Sequence, residues 1–141
     1  MIGIIILTHG NLGHALLESL HMLTKEDLLQ VKAISIDVTL DPVKAHQTVG
    51  QTVKQLETGD GVLILTDMFG GTPSDLGFSF LEEGRVEVVT GVNLPILFKA
   101  IDGRHKASLS SLAETIEAVG RTSICRGSKI LKGNKTATPK S

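Results

Sequence analysis

Four short runs of branched apolar residues, separated by stretches with helical periodicity, constrain the fold of this chain more than any other feature. The runs lie at residues 2–8, 31–36, 61–66 and 86–90. The first and third runs do not alternate apolar with polar residues, which is typical of central strands that are covered on both faces of a parallel sheet. The pattern therefore predicts parallel strands with helices packed on both sides of the sheet.

The first two segments between these runs carry the signals of amphipathic helices. Asp41 precedes Pro42, so a capping carboxylate stands before a proline at the first helical position of the second segment. One face of each segment is apolar. The residues of these two faces are Leu12, Leu16, Leu17, Leu20 and Leu23 in the first segment, and Val43, Val49, Val53 and Leu56 in the second.

Three further helices are predicted from residues that cap helix starts. The third helix begins with a Thr-Pro pair and has an acidic residue three positions after the threonine, which is a variant of the capping box. The fourth begins after an asparagine, and the fifth after a serine that is followed by a glutamate three positions on. The predicted positions are Thr72 with Asp75, Asn93 to Ile101, and Ser111 with Glu114 to an end near Gly120.

Strands and helices therefore alternate, and the predicted fold class is α/β, with one small, doubly wound and mainly parallel sheet. The common order for a sheet of this size is the flavodoxin-like order 2-1-3-4, which makes the first and third strands neighbours. Ligands of such sheets bind beyond the carboxyl ends of the strands where the order reverses. Residues 8–11 and 66–72 are therefore predicted to line the functional site.

These two segments contain a histidine and an aspartate at equivalent places. His9 follows the first apolar run and Asp67 follows the third. A carboxylate that accepts the Nδ1 proton of an imidazole fixes its tautomer, leaves Nε2 free as a nucleophile, and stabilises the imidazolium that forms when Nε2 is substituted. His9 and Asp67 are therefore the predicted catalytic pair.

The residues beside this pair are suited to binding an anion. Gly70 and Gly71 permit a tight turn with outward-facing amides, and the helix that begins near Thr72 leaves its first amides without internal partners. The predicted phosphate site consists of Gly10, Gly70, Gly71, Thr72 and Ser74. Neither segment contains Lys or Arg, and no lysine-containing nucleotide P-loop occurs in the sequence.

Composition argues against several other functions. The chain has four Phe and no Trp or Tyr, so the stacking of bases or flavin rings has little to use. The single Cys125 forms no internal disulfide, and the histidines lack metal-ligand spacing, so we expect neither a metal nor a cofactor. His14, about one turn from His9 on the first helix, is expected to face solvent or to belong to the cap region of that helix.

Charge and hydropathy predict where the protein acts. The longest apolar run, at residues 4–7, is far shorter than the roughly 20 residues of a membrane span, and no signal segment precedes it. We therefore expect a cytoplasmic protein without membrane insertion.

Residues 1–132 are predicted to form one domain, and residues 133–141 a basic, flexible tail. No nucleic-acid motif accompanies this tail, so no nucleic-acid partner is expected.

Three motifs stand out in the sequence: I-L-T-H-G at 6–10, T-D-M-F-G-G-T-P-S at 66–74 and T-G-V-N-L-P at 90–95. With these motifs the chain resembles the mannose/fructose-type EIIA component of the bacterial phosphoenolpyruvate-dependent sugar phosphotransferase system (PTS), and the likeness runs through most of residues 1 to about 130. It implies that His9 accepts a phosphoryl group on Nε2 from phospho-HPr and passes it to an EIIB domain, with Asp67 as its partner. The chain would then be a phosphotransferase that works through a phosphohistidine.

The sequence departs from this family at two positions. Asp75 stands where the family commonly has Asn, and its charge is expected to slow phosphate uptake or to change the preferred pH of transfer. Thr72 replaces a serine of many relatives and keeps the hydroxyl.

The resemblance also implies a homodimer in which a C-terminal strand adds antiparallel to the partner's sheet. Residues 122–131 contain Ile124, Ile130 and Leu131, enough for a short edge strand. Two other functions stay open at this point: a regulatory module that binds its partner without phosphoryl transfer, and a flavodoxin-like protein that binds FMN or a nucleotide.

Overall fold

The computed structural model describes residues 1–37 and 39–133 and has a single four-stranded parallel sheet. The strands are β1 (Gly3–His9), β2 (Val31–Ile36), β3 (Val62–Thr66) and β4 (Val86–Thr90), in the order β2-β1-β3-β4. In register, Leu7 of β1 lies between Ile34 of β2 and Thr66 of β3. The predicted α/β class and the order 2-1-3-4 are confirmed.

The described part of the chain also forms six helices. They are α1 (Leu12–Leu23), α2 (Pro42–Leu56), α3 (Thr72–Phe78), α4 (Leu94–Gly103), α5 (Leu109–Thr122) and α6 (Gly127–Gly133). Helices α1, α4 and α5 contribute to the core on one face of the sheet, and α2 and α3 to the core on the other. No helix of the described residues is both long and apolar enough to cross a membrane.

The two cores explain why the central strands show no polar alternation. Side chains of a strand point alternately to opposite faces, and in β1 Ile4 and Ile6 join one core while Ile5 and Leu7 join the other. All four of these residues have no exposed surface. Both faces of β1 are therefore covered by helices, as the unbroken apolar run predicts.

The predicted starts of two helices are confirmed by their capping bonds. The Asp41 carboxylate accepts the Val43 N–H at 3.1 Å, and the Asn93 side chain accepts the Ile96 N–H at 2.9 Å. The apolar face of α2 differs from the prediction in one residue, because Val43 is 64% exposed. Helix α2 instead buries Ala45, Val49 and Leu56, which lie on a face that Val43 does not share.

The predicted starts of α3 and α5 are wrong by one and three residues. Gly71 is the N-cap of α3, and Thr72 is its first helical residue. Helix α5 is capped by Ser108, whose hydroxyl accepts the Ser111 N–H at 3.2 Å, and it continues to Thr122. At α3 the N-cap is the glycine that precedes the predicted threonine, and at α5 two serines three positions apart could each cap the helix.

The C-terminal segment is helical, so the predicted edge strand at residues 122–131 is wrong in this chain. Thr122 ends α5, and α6 begins at Gly127. In α6 the Ile130 N–H donates to the Arg126 carbonyl at 3.2 Å, so local bonds satisfy a backbone that would otherwise need the edge of another sheet. The predicted tail at 133–141 lies outside the described residues apart from Gly133, which ends α6.

Candidate functional site

His9 and Asp67 meet at the carboxyl ends of the two central strands. His9 is the last residue of β1, and Asp67 follows β3 directly. The imidazole Nδ1 lies 2.8 Å from Asp67 Oδ2, and the same oxygen accepts the backbone N–H of His9 at 3.0 Å. The neighbouring strands thus bring together the two residues that the sequence pairs.

The other carboxylate oxygen of Asp67 is also bonded. Oδ1 accepts the Met68 N–H at 3.0 Å, so three N–H groups point at one carboxylate. Burial of Asp67 acts to raise its pKa, but the hydrogen bonds and positive charge of His9, together with the Met68 bond, outweigh this effect and lower the pKa below 3.8. Asp67 is therefore ionised near neutral pH and accepts the proton that Nδ1 carries.

This bond directs the reactivity of the imidazole to its other nitrogen. With the proton held on Nδ1, the lone pair of a neutral ring lies on Nε2. Within residues 1–37 and 39–133, Nε2 has no hydrogen-bond partner. The His9 side chain is 43% exposed, whereas the Asp67 side chain is 11% exposed. The site therefore presents an oriented imidazole to solvent, while the carboxylate that orients it is largely shielded from solvent.

The turn before α3 is arranged differently from the sequence prediction. The N–H groups of Gly70 and Gly71 do not face outward, because both donate to Ser74 Oγ at 3.1 Å. Ser74 Oγ in turn donates to the Gly71 carbonyl at 2.9 Å. These three bonds close the turn on itself, and Gly70 has the positive φ of 86° that a glycine adopts readily.

Gly71 places the start of α3 against the His9 ring. A Cβ atom built on Gly71 would lie 2.8 Å from Cε1 of the imidazole, closer than real Cβ contacts allow, and 3.1 Å from Nε2. Only glycine leaves room for the ring here. The first turn of α3 follows directly, and helical geometry leaves the N–H groups of Thr72 and Ser74 without intrahelical partners.

Gly10 forms the opposite rim, directly after His9. It has a φ of 51°, and its N–H donates to the Ile36 carbonyl of β2 at 3.0 Å. The amides of Gly10, Gly70 and Gly71 are thus engaged within the protein, whereas Thr72 is partly exposed at the helix start. Asp75, in the same turn, is exposed.

Thr8 lies in the first motif and supports the site through a contact that the sequence alone does not predict. Its buried hydroxyl accepts the Gly13 N–H of α1 at 2.7 Å, which fixes the short turn that carries His9 from β1 into α1. A Cβ on Gly13 would lie 3.1 Å from that hydroxyl and 3.1 Å from the Ile6 carbonyl. A hydroxyl residue at the end of an apolar strand, five positions before a glycine, is the signal that could have identified this contact.

Two other histidines lie in contacts of their own. His14 is exposed as predicted, and its Nδ1 lies 2.9 Å from Ser35 Oγ of β2. His46 of α2 stacks on Phe80, with ring centroids 4.4 Å apart. His9 is thus the histidine that this geometry pairs with a carboxylate.

Comparison with known proteins assigns the chain to a family. The family model described as the PTS system fructose IIA component (EIIA-man) matches residues 3–117. The chain belongs to this family. The match includes both His9 and Asp67 and ends within α5.

Individual relatives agree with this assignment. The chain is 35% identical over 143 residues to the PTS system fructose-specific EIIA component of Bacillus subtilis (strain 168), covering 97% of this chain and 94% of that protein. Among solved structures, phosphotransferase system component EIIA from Streptococcus agalactiae is 24% identical and has a TM-score of 0.82, covering 92% of this chain and 99% of that chain. The PTS IIA protein associated with the fucose utilization operon from Streptococcus pneumoniae is 25% identical, with a TM-score of 0.79 and coverage of 92% and 95%.

Proposed function

We propose that this PTS EIIA-family protein is a phosphohistidine carrier that accepts a phosphoryl group from phospho-HPr on His9 Nε2 and passes it to an EIIB domain. The observation that carries the proposal is the 2.8 Å contact between His9 Nδ1 and Asp67 Oδ2, in a histidine side chain that is 43% exposed and whose Nε2 has no hydrogen-bond partner among the described residues. A carboxylate on one nitrogen of an imidazole and an open approach to the other is the arrangement that nucleophilic transfer requires.

The transfer exchanges one N–P bond for another. The Nε2 lone pair of neutral His9 attacks phosphorus, a new N–P bond forms, and the electron pair of the broken N–P bond returns to the histidine of HPr. The proton on His9 Nδ1 stays in place, and the positive charge that the ring acquires is stabilised by the Asp67 carboxylate. Because the bonds formed and broken are of the same type, the free energies of reactants and products are nearly equal. In the second transfer His9 is the donor of the phosphoryl group and the EIIB domain is the acceptor.

The proposed phosphate site surrounds Nε2 with Gly10 on one rim and residues 70–74 on the other. Thr72 supplies direct donors, since its N–H is a free amide of the first helical turn and its side chain is partly exposed. Gly10, Gly70 and Gly71 supply room for the phosphoryl oxygens, because their own amides are engaged. A phosphoryl group there would also meet the favourable end of the α3 dipole.

Exposed apolar side chains beside the site support a protein as the partner. Met68 and Phe69 follow Asp67 directly and are 54% and 75% exposed. Side chains of this size are stabilised when a partner covers them, and aromatic and methionine residues are enriched in protein interfaces. Covering them would also exclude water from the phosphoryl group during transfer.

In this proposal the protein acts in the cytoplasm and forms a homodimer. Strand β4 is an edge of the sheet formed by the described residues, and a groove of about 650 Å³ runs between β4 and α5. Val88, Thr90 and Ile124 are among the residues that line it. An open strand edge beside a groove lined by both apolar and charged side chains is a surface on which a second copy could pair.

Phosphorylation in a reconstituted system tests the proposed function. The protein is incubated with phosphoenolpyruvate, enzyme I and HPr, and its intact mass is measured. We expect the mass of one added phosphoryl group, with an acid-labile and alkali-stable bond. His9→Gln should remain folded and unlabelled, whereas the matched variant His14→Gln should be labelled. Labelling of the His9 variant would refute the assignment, and binding of HPr without any labelling would favour a regulatory module instead.

A further inference from the structure

The hydroxyl of Ser74 has used its whole hydrogen-bonding capacity inside the turn that precedes α3. A serine hydroxyl donates one hydrogen bond and accepts two. Ser74 Oγ accepts from Gly70 and Gly71, each at 3.1 Å, and donates to the Gly71 carbonyl at 2.9 Å. The residue has no exposed surface. Nothing of this hydroxyl is left to bind a ligand directly.

We propose that Ser74 is a positioning residue, which holds the Gly71 backbone against the His9 ring and so fixes the direction of Nε2. This inference rests on the proposed function, in which Nε2 is the accepting atom. It revises the role predicted from the sequence, where Ser74 belongs to the phosphate site. Ser74 acts through Gly71 and touches neither the phosphoryl group nor the partner.

The His9 ring is held from two sides. On one side Asp67 Oδ2 binds both Nδ1 and the backbone N–H of His9, which holds the Nδ1 end of the ring in place. On the other side the Gly71 backbone lies so near the Cε1–Nε2 edge that a Cβ there would be 2.8 Å from Cε1. With Asp67 alone, the imidazole could still turn about its Nδ1–Asp67 hydrogen bond. The Gly71 backbone on the other side of the ring prevents this rotation.

The position of Gly71 depends on Ser74. Its N–H and its carbonyl are both bonded to the one hydroxyl, and the carbonyl also accepts the Asp75 N–H at 3.0 Å. Without the hydroxyl, the amides of Gly70 and Gly71 lose their shared acceptor and must turn toward water. The turn would then move away from the imidazole, and Nε2 would sample orientations that do not face the incoming phosphorus.

The kinetic signature of this role is a loss in kcat without a change in KM. Because Ser74 is buried, HPr cannot contact it, so the affinity for phospho-HPr should be unchanged in Ser74→Ala. A misplacement of reacting groups by about 1 Å costs on the order of 100-fold in rate, so we expect kcat for transfer to fall by roughly 10- to 100-fold. Ser79→Ala is the matched control, since Ser79 Oγ donates to the Leu76 carbonyl at the far end of α3.

A double-mutant cycle tests whether Ser74 acts through Gly71. Gly71→Ala pushes a methyl group into the ring, and Ser74→Ala frees the turn to retreat from it. The two changes should therefore be strongly non-additive: in the Gly71→Ala background, Ser74→Ala should cost little or partly restore the rate. Additive losses would overturn the proposal.

Nuclear magnetic resonance of the His9 ring tests the same inference without any measurement of phosphoryl transfer. Long-range ¹H–¹⁵N spectra of wild type should show one His9 tautomer protonated at Nδ1, and Ser74→Ala should broaden the His9 signals while Ser79→Ala leaves them sharp. If Ser74→Ala does not fold, Ser74→Cys, which keeps the volume but is a weaker acceptor, is measured instead. Unchanged His9 signals together with a wild-type kcat would overturn the proposal. If wild type were never phosphorylated, the proposed function would fail, whereas the His9 spectra would still test the positioning.

Discussion

Replacing Asp67 by asparagine removes a charge from the site while keeping its shape. The carboxylate accepts three N–H groups, two from His9 on Oδ2 and one from Met68 on Oδ1. Asparagine has one oxygen, so it keeps the two His9 bonds only by turning its NH₂ toward the Met68 N–H. The reverse orientation would make Nδ1 an acceptor and move the ring proton to Nε2, which would block the nucleophile. The first orientation keeps more bonds and should be the main one.

The loss in rate then comes from the charge. As Nε2 takes the phosphoryl group, the ring becomes positive, and a neutral amide stabilises that charge less well than a carboxylate. A hydrogen bond to a charged group contributes about 1.5 to 3 kcal/mol, which corresponds to roughly 10- to 150-fold in rate. We therefore expect Asp67→Asn to accept the phosphoryl group from HPr at least tenfold more slowly at pH 7.

Rapid-quench measurement of a single transfer from phospho-HPr gives this rate directly. Asp37→Asn is the matched control, because Asp37 follows the neighbouring strand β2 and its carboxylate accepts the Thr39 N–H at 3.0 Å rather than any group of His9. Both variants should give the circular dichroism of wild type. A wild-type rate in Asp67→Asn would mean that Asp67 only caps its loop, and the paired mechanism would have to be abandoned.

Three further predictions concern charge, pH and assembly. Asp75→Asn removes an acid from the first turn of α3 and should raise the rate of phosphoryl uptake by roughly two- to fivefold at low salt; a slower variant in the same quench assay would contradict this. Burial alone would raise the pKa of Asp67, but its bonds to His9 lower it, so its contribution to folding stability is complete above about pH 4. That contribution is lost as the pH falls through the lowered pKa, so denaturant unfolding should find the stabilities of wild type and Asp67→Asn drawing together below about pH 4; a stability gap that does not narrow as the pH falls would refute this. Chains that end at Ser123 and at Gly133 should differ in sedimentation, the shorter being monomeric, because Ile124 and Leu131 are 84% and 79% exposed; a dimer that survives in the shorter chain would exclude this segment.

The parts of the fold that were predictable are those determined by long patterns. The unbroken apolar runs of β1 and β3 reflect burial on both faces, and the strand order follows from the rules of parallel sheets. His9 and Asp67 can be paired from the amino-acid sequence because each lies at the end of a run that becomes a central strand. The pair thus follows from topology and needs no side-chain detail.

The details that could not be predicted depend on competition between neighbouring groups. Gly71 rather than Thr72 caps α3 because the backbone passes close to His9, and nothing in the local sequence reports that contact. The hydrogen bonds of Ser74 are hidden from the sequence for the same reason, since its three partners come together only when the turn is closed. At the C-terminus, residues 122–131 contain enough apolar side chains for a short strand, but a single chain satisfies its own backbone by forming α6.

The nitrogen that carries the phosphoryl group is the sharpest test of the His9–Asp67 mechanism. After phosphorylation by enzyme I and HPr, the protein is kept alkaline and studied by ³¹P and long-range ¹H–¹⁵N magnetic resonance. We expect one phosphoryl group, bonded to Nε2 of His9, with the proton still on Nδ1 facing Asp67. A phosphoryl group on Nδ1, or on His14 with His9 unmodified, would contradict this mechanism.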